Sequence, residues 1–265
     1  MPNPKLFLAA ALCGAFLGLA SATQAADGRE TVTIALDPGH GGIDPGAEAL
    51  GVNESDLVLD FARRLEELLA DTGHLDAILT RDDDHFVSLD QRLSNARRGG
   101  ADVFISIHAD AIPVGGQQAS GLTIYTLDSE DVPQANARLV ERHDETDILT
   151  NVDLSDAGED VSNALIALSR QQSLPRSQML AQSLLKTFAA GDVSVNNRPH
   201  RHGGFAVLKA AEMPSVLIEL GFLSNAKDRE RLMSEEWLQE AALAIRDGLL
   251  LWVSEDRLFR AGALQ

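Results

Sequence analysis

The chain has 265 residues, with 40 acidic and 22 basic side chains, a formal charge of −18 and one cysteine. At 45% hydrophobic and 23% charged, it can bury the core of one or two domains, which excludes wholesale disorder, a collagen-like rod and a disulfide scaffold. The acidic balance disfavours binding of nucleic acid or an anionic membrane through a basic surface, so no nucleic-acid partner is expected.

In chain order, Lys5 precedes an apolar run over residues 6–20, and SATQAAD follows it. A positive residue, a hydrophobic stretch and a small-residue site form the pattern of an export signal. The run falls short of the roughly 20 residues that a spanning helix needs. We therefore expect residues 1–25 to be a signal peptide cleaved near Ala25, leaving 26–265 in the periplasm with no stable membrane anchor. Cys13 follows Leu12 rather than a small residue, so lipidation is not expected. The processed chain then has no cysteine, and any metal ligands must be His, Asp or Glu.

Short apolar segments rich in β-branched residues predict buried strands at 31–36, 77–80, 103–107, 122–127 and 216–220. After the first of them, Asn53 is placed to cap a helix with the apolar stripe Leu57, Phe61, Leu65, Leu68 and Leu69, and Gly73 follows its end. Further helices are predicted over 88–98, 173–189 and 235–253. The alternation of strand and helix predicts an α/β fold, a largely parallel sheet with helices on both faces. Residues 128–173 depart from this pattern, with a charged run ERHDETD at 141–147 bracketed by prolines at 133 and 175. They read as an insert within one domain that spans 26–265.

The first strand runs into DPGHGGIDPGA at 37–47. Loops at the carboxyl ends of parallel strands build sites, and the GK[ST] or GxGxxG pattern of a phosphate loop is absent. His40 stands in this loop, and His108 ends the strand over 103–107 at the same sheet edge. Glu54 opens the helix that follows, where the N-terminus favours an ionised carboxylate. Two imidazoles and a carboxylate with a fourth position open are the donor set of catalytic zinc. Glu219 lies in the apolar segment SVLIELGFLSN, where a carboxylate is costly to bury without a partner. Beside a metal it has a natural role as general base.

Each also has a plain structural reading: His40 as a turn histidine, Glu54 as a first-turn glutamate, Glu219 as a buried structural carboxylate. Asp37 is a candidate partner for the imidazole of His40 or His108. Arg81 is expected to orient a loop and Arg92 to be helical scaffold. His74, His85, His200 and His202 are expected at solvated positions.

The motifs DPGHGGIDPGA, LTRDDDHFVSLDQRLSNARRGGADVFISIHADA and PSVLIELGFLSN, with the Glu54 helix between the first two, resemble the zinc-dependent N-acetylmuramoyl-L-alanine amidases of bacterial cell-wall cleavage (the amidase-3 type). The resemblance runs over roughly residues 32–253. It implies a mixed sheet flanked by helices and one zinc per chain held by His40, Glu54 and His108, with Glu219 catalytic. The implied substrate is peptidoglycan, cut between N-acetylmuramic acid and L-alanine. Family members used in cell separation carry an insert whose helix blocks the zinc until a periplasmic activator with a degenerate metallopeptidase-like domain displaces it. Here 128–173 would be that insert, with Glu141, His143 and Glu145 as candidate plug residues. Asp110 stands where the family often has asparagine, and Ser55 where it often has lysine. The ligand set alone leaves two alternatives open: a zinc peptidase on another substrate, and a non-catalytic wall-binding protein on the same scaffold.

Overall fold

The computed structural model describes residues 31–111, 120–127, 159–191 and 193–263. The expected signal peptide and the candidate plug residues Glu141, His143 and Glu145 lie outside the described residues. The elements are β1 (Val32–Pro38), β2 (Glu48–Ala49), β3 (Val52–Asn53), α1 (Glu54–Ala70), β4 (Leu75–Leu79), α2 (Leu89–Arg98), β5 (Val103–His108) and β6 (Leu122–Thr126). They continue with α3 (Glu159–Ala190), β7 (Val195–His202), β8 (Ser215–Glu219), α4 (Ala226–Leu232) and α5 (Glu235–Ala263).

Six strands form one sheet in the order β4-β1-β5-β8-β6-β7. The first four run parallel. β6 is antiparallel to β8, and β7 pairs parallel with β6. The sheet is therefore mixed and mostly parallel. Side chains alternate between its faces, as strand geometry requires. Ile34, Leu36, Ile105, Ile107, Ile124 and Ile218 join a core with α1, α3 and α5. Ala35, Phe104, Tyr125 and Leu217 point the other way and pack with α2 and residues 205–213.

Three elements differ from the sequence expectation. β7 was not expected because NNRPHRH is polar and contains Pro199; at the sheet edge a proline and half-exposed polar side chains are tolerated. The helix expected from residue 173 begins at Glu159, with Pro175 inside it, so the expected insert boundary at 173 falls within an element. Near that proline, Ser177 Oγ donates to Ser173 O at 3.1 Å and accepts the Ser215 amide at 2.8 Å, which ties the helix to β8. Asn53 occupies the N-cap position of α1 but makes no side-chain capping bond. The amides of Glu54 and Ser55 donate instead to Ala47 O at 2.9 Å and Pro45 O at 3.1 Å. The loop before the helix does the capping.

That loop is held from beneath by two buried guanidinium groups. Arg92 donates to Pro38 O at 2.7 Å and His40 O at 2.6 Å. Arg81 donates to Pro38 O at 3.0 Å, and to Gly39 O and Ser55 O at 2.8 Å each. Arg81 thus orients the loop as expected, whereas Arg92 is a loop anchor rather than plain scaffold. Asp37 is also placed differently: its carboxylate meets no imidazole but accepts from Thr80 Oγ1 at 2.5 Å, Arg92 Nη1 at 2.9 Å and Ser106 Oγ at 2.8 Å. Its backbone lies within β1, so the carboxylate serves the buried arginine behind the loop. Burial alone would push this carboxyl up; Arg92 and the two hydroxyls outweigh it and hold the group below the usual carboxylate range. Burial, with Arg92 alongside, lowers the Arg81 guanidinium to about 10, still charged at neutral pH.

Removing the Asp37 charge leaves Arg92 buried without a carboxylate. Breaking a buried pair from one side costs about 3–5 kcal/mol, so Asp37→Asn is expected to lower unfolding free energy by that order in urea melts. A loss under ~1 kcal/mol would contradict the role given to this pair. Because the folded-state pKa lies below the unfolded one, the carboxylate's contribution is complete above pH ~4. It is lost as pH falls through the lowered folded value.

Candidate metal centre

Parallel pairing sets the centre of the site. His108 and Glu219 end β5 and β8 as register partners, and Thr123 of β6 opposes Glu219 on its other side. β1 delivers the loop that bears His40, and Glu54 is the first residue of α1. His40, Glu54 and His108 offer ligand atoms that all lie within 4.8 Å of one another. The imidazoles meet edge to face, with ring centres 5.0 Å apart.

Glu54 has no solvent exposure. Its Oε1 lies 3.0 Å from His108 Nδ1, and its Oε2 lies 3.4 Å from His40 Nε2. Each oxygen also accepts a backbone amide, Oε1 from Ala109 at 2.8 Å and Oε2 from Ala47 at 2.9 Å. Burial would raise this carboxyl, but the two imidazoles hold it well below its ordinary value, so it stays ionised. For His40, burial works toward the neutral form, yet Glu54 and Asp44 overcome it and push the imidazole up to about 10. The pocket thus attracts positive charge. Two imidazoles and one ionised carboxylate, without thiolate, fit zinc or a similar first-row cation.

Two glycines make this crowding possible. A Cβ on Gly39 would lie 2.1 Å from His108 Cε1, and one on Gly46 would lie 2.8 Å from Glu54 Oε2. His40 itself takes a left-handed backbone, φ 59°. Non-glycine residues seldom adopt that conformation, at a cost of order 1–3 kcal/mol that the surroundings must offset.

Glu219 is fully buried, and its Oε2 accepts the Asp110 amide at 3.2 Å. Burial pushes its carboxyl up to about 7, against the opposing pull of His108. Asp228, also buried, accepts from Ser120 Oγ at 2.7 Å, the Gly121 amide at 2.9 Å and the Phe222 amide at 3.1 Å. It ties down the segments that flank Glu219 on β6 and β8.

The structure therefore gathers His40, Glu54, His108 and Glu219 at the carboxyl edge of the parallel strands. His200 and His202 sit elsewhere, 2.9 Å and 3.1 Å from Thr126 Oγ1, at the end of β6 away from Thr123. A second group, Asp82, Asp83 and His85, lies on the surface. Sequence reasoning missed Asp44, Asp228 and the anchoring role of Arg92. Asp44 was legible as a carboxylate four residues after His40, whereas the other two act across long sequence separations.

Comparisons with known proteins identify the family and the fold. The family model described as N-acetylmuramoyl-L-alanine amidase matches residues 34–250. The chain is 34% identical over 242 residues to N-acetylmuramoyl-L-alanine amidase AmiC of Neisseria meningitidis, covering 88% of this chain and 55% of that protein. It is 31% identical over 226 residues to AmiC of Escherichia coli O6:H1, covering 84% and 53% respectively. The chain thus spans about half the length of these relatives. Among solved structures, N-acetylmuramoyl-L-alanine amidase AmiC2 of Nostoc punctiforme superimposes with a TM-score of 0.60 at 28% identity, covering 86% of this chain and 99% of that one. With a family match over most of its length and the same fold, the chain belongs to the N-acetylmuramoyl-L-alanine amidase family, amidase-3 type.

Proposed function

We propose that the chain is an exported zinc hydrolase that cleaves the amide between N-acetylmuramic acid and L-alanine in peptidoglycan. The observation that carries this is the cluster of His40, Glu54 and His108 with Glu219 in register beside His108, in a chain of this family. The complete set argues against a purely binding role. A zinc peptidase would need the same residues, so the products separate the two: release of L-alanine peptides from muramic acid supports the amidase, and cleavage within the peptide supports the alternative.

In this reading His40, Glu54 and His108 hold one zinc per chain. Such an ion, when bound, supplies a Lewis acid for the amide carbonyl and acidifies a water. Glu54 remains ionised between its imidazoles, and the Ala47 and Ala109 amides fix its oxygens. Glu219 accepts the proton of the attacking water and returns it to the departing L-alanine amine. Its buried setting lifts its proton affinity toward the range a general base needs at neutral pH.

By family resemblance, the protein acts in the periplasm, and residues 128–173 restrain it until an activator with a degenerate metallopeptidase-like domain binds. A side chain from the insert, Glu141, His143 or Glu145, would take the open ligand position. Being intramolecular, even a weak bond there would be highly occupied. The activator then works through its differential affinity for the open state.

Three results are expected. His40→Ala and His108→Ala lose zinc, measured by metal analysis, together with activity; full zinc in the double variant overturns the site. Glu219→Gln keeps the fold and zinc but lowers turnover on purified peptidoglycan by about 10²-fold or more; near-parent turnover at saturating substrate removes Glu219 as the base. Deleting residues 131–158, which stops short of α3, raises basal cleavage, and single changes at Glu141, His143 or Glu145 raise it partly. If a zinc-loaded, cooperatively melting deletion variant cleaves no faster than the parent, restraint by the insert is wrong.

A further inference from the structure

The loop after β1 carries a carboxylate that the chemistry above does not use. Asp44 Oδ2 lies 2.7 Å from His40 Nδ1, and Asp44 Oδ1 accepts the Gly46 amide at 3.1 Å. Its main chain closes a two-way pair with Gly41, with bonds of 2.8 Å and 3.2 Å. Side chain and backbone of Asp44 therefore both fold back on the turn that bears the imidazole. The other ring nitrogen of His40, Nε2, faces Glu54 Oε2.

We propose that Asp44 is the positioning residue of the metal centre: its carboxylate accepts the Nδ1–H of His40 and so presents Nε2 as the ligand atom. This rests on the metal reading of the preceding subsection. A neutral imidazole carries one N–H, and whichever nitrogen holds it cannot ligate. A carboxylate against one nitrogen fixes the tautomer, orients the ring and raises the basicity of the other.

The loop extends the same control to a second ligand. Gly46, whose amide Asp44 holds, lies against both groups: a Cβ there would be 2.7 Å from His40 Cδ2 and 2.8 Å from Glu54 Oε2. The next residue, Ala47, donates its amide to Glu54 Oε2. Asp44 thus anchors the 44–47 segment, which lies against both His40 and Glu54. His40 needs such an anchor because its left-handed backbone is not intrinsically preferred. Of the other carboxylates at this loop, Asp37 is taken up by Thr80, Arg92 and Ser106, and Asp84 accepts the Gly42 amide at 2.8 Å.

The test compares Asp44→Ala and Asp44→Asn with the parent and with His40→Ala. Zinc affinity is read by chelator competition, and the His40 tautomer by ¹⁵N NMR of the zinc-loaded protein. Asp44→Ala is expected to bind zinc about 10–100-fold more weakly while the metal-free protein still melts cooperatively. Asp44→Asn, whose amide oxygen can still accept from Nδ1–H, should fall between it and the parent. The parent should show the proton on Nδ1. Zinc affinity within twofold of the parent in Asp44→Ala, or a proton on Nε2 in the parent, overturns the proposal. If Asp44→Ala fails to fold, the Asn variant and the parent's tautomer decide. Unchanged zinc binding in His40→Ala would instead sink the metal reading, whereas lost zinc there beside parent-like affinity in Asp44→Ala sinks the role of Asp44 alone.

Discussion

A carboxylate with no solvent exposure cannot persist at a sheet edge unless donors or positive charge match it, and Glu54 is such a group. Its partners come from separate parts of the chain: Ala47 and His40 from the loop after β1, Ala109 and His108 from the end of β5. The helix that carries Glu54 starts by donating its own first amides back to that loop. Loop, helix start and strand end therefore form one closed network. The glycines at 39 and 46 follow from it, because a side chain at either would collide with an imidazole or with Glu54 itself.

Such a loop has little intrinsic stiffness. Glycine-rich backbone loses more conformational freedom on folding than other sequence, and here it must also carry a left-handed histidine. The compensation comes from below, where Arg81 and Arg92 direct their fixed forks of N–H groups at the carbonyls of Pro38, Gly39, His40 and Ser55. A lysine could place a charge there but not several donors in one plane. Asp37 balances the charge of Arg92, and the carbonyls of the loop and helix start surround Arg81. A rigid floor under a permissive loop lets the loop take the shape that His40 and Glu54 impose.

What was legible in the sequence is what depends on nearby residues. Buried strands show as short apolar runs, and the histidines and glutamates stood out because polar groups interrupted those runs or opened a helix. The partners were harder to read. Asp37 and Asp44 both flank His40, and the sequence reading named Asp37 alone; the pleat decides against it, since Asp37 lies within β1 and reaches Ser106 and Arg92. Arg92 reads as helical scaffold in the sequence, because the loop carbonyls it holds, those of Pro38 and His40, lie more than fifty positions away. β7 escaped notice because an edge strand does not need the apolar pattern that marks a central one. The continuity of α3 back to Glu159 escaped because proline usually ends a helix, whereas here it lies within one.

The placement of Glu219 depends on main chain more than on side chains. Its strand is paired on both sides, to His108 through parallel β5 and to Thr123 through antiparallel β6. Pairing continues beyond the strand ends, with the Leu220 amide on His108 O and the Leu223 amide on Asp110 O, each at 2.8 Å. The Asp110 amide reaches Glu219, while one Asp110 side-chain oxygen accepts the Ala111 amide at 2.5 Å. An asparagine oxygen could accept that same local bond. Aspartate in place of asparagine therefore keeps the turn, and Glu219 keeps its spacing from His108 because backbone pairing sets it. Antiparallel β6 completes the burial by covering the side of β8 that would otherwise be a sheet edge. The same pairing that positions Glu219 thus also shields it from solvent and raises its proton affinity.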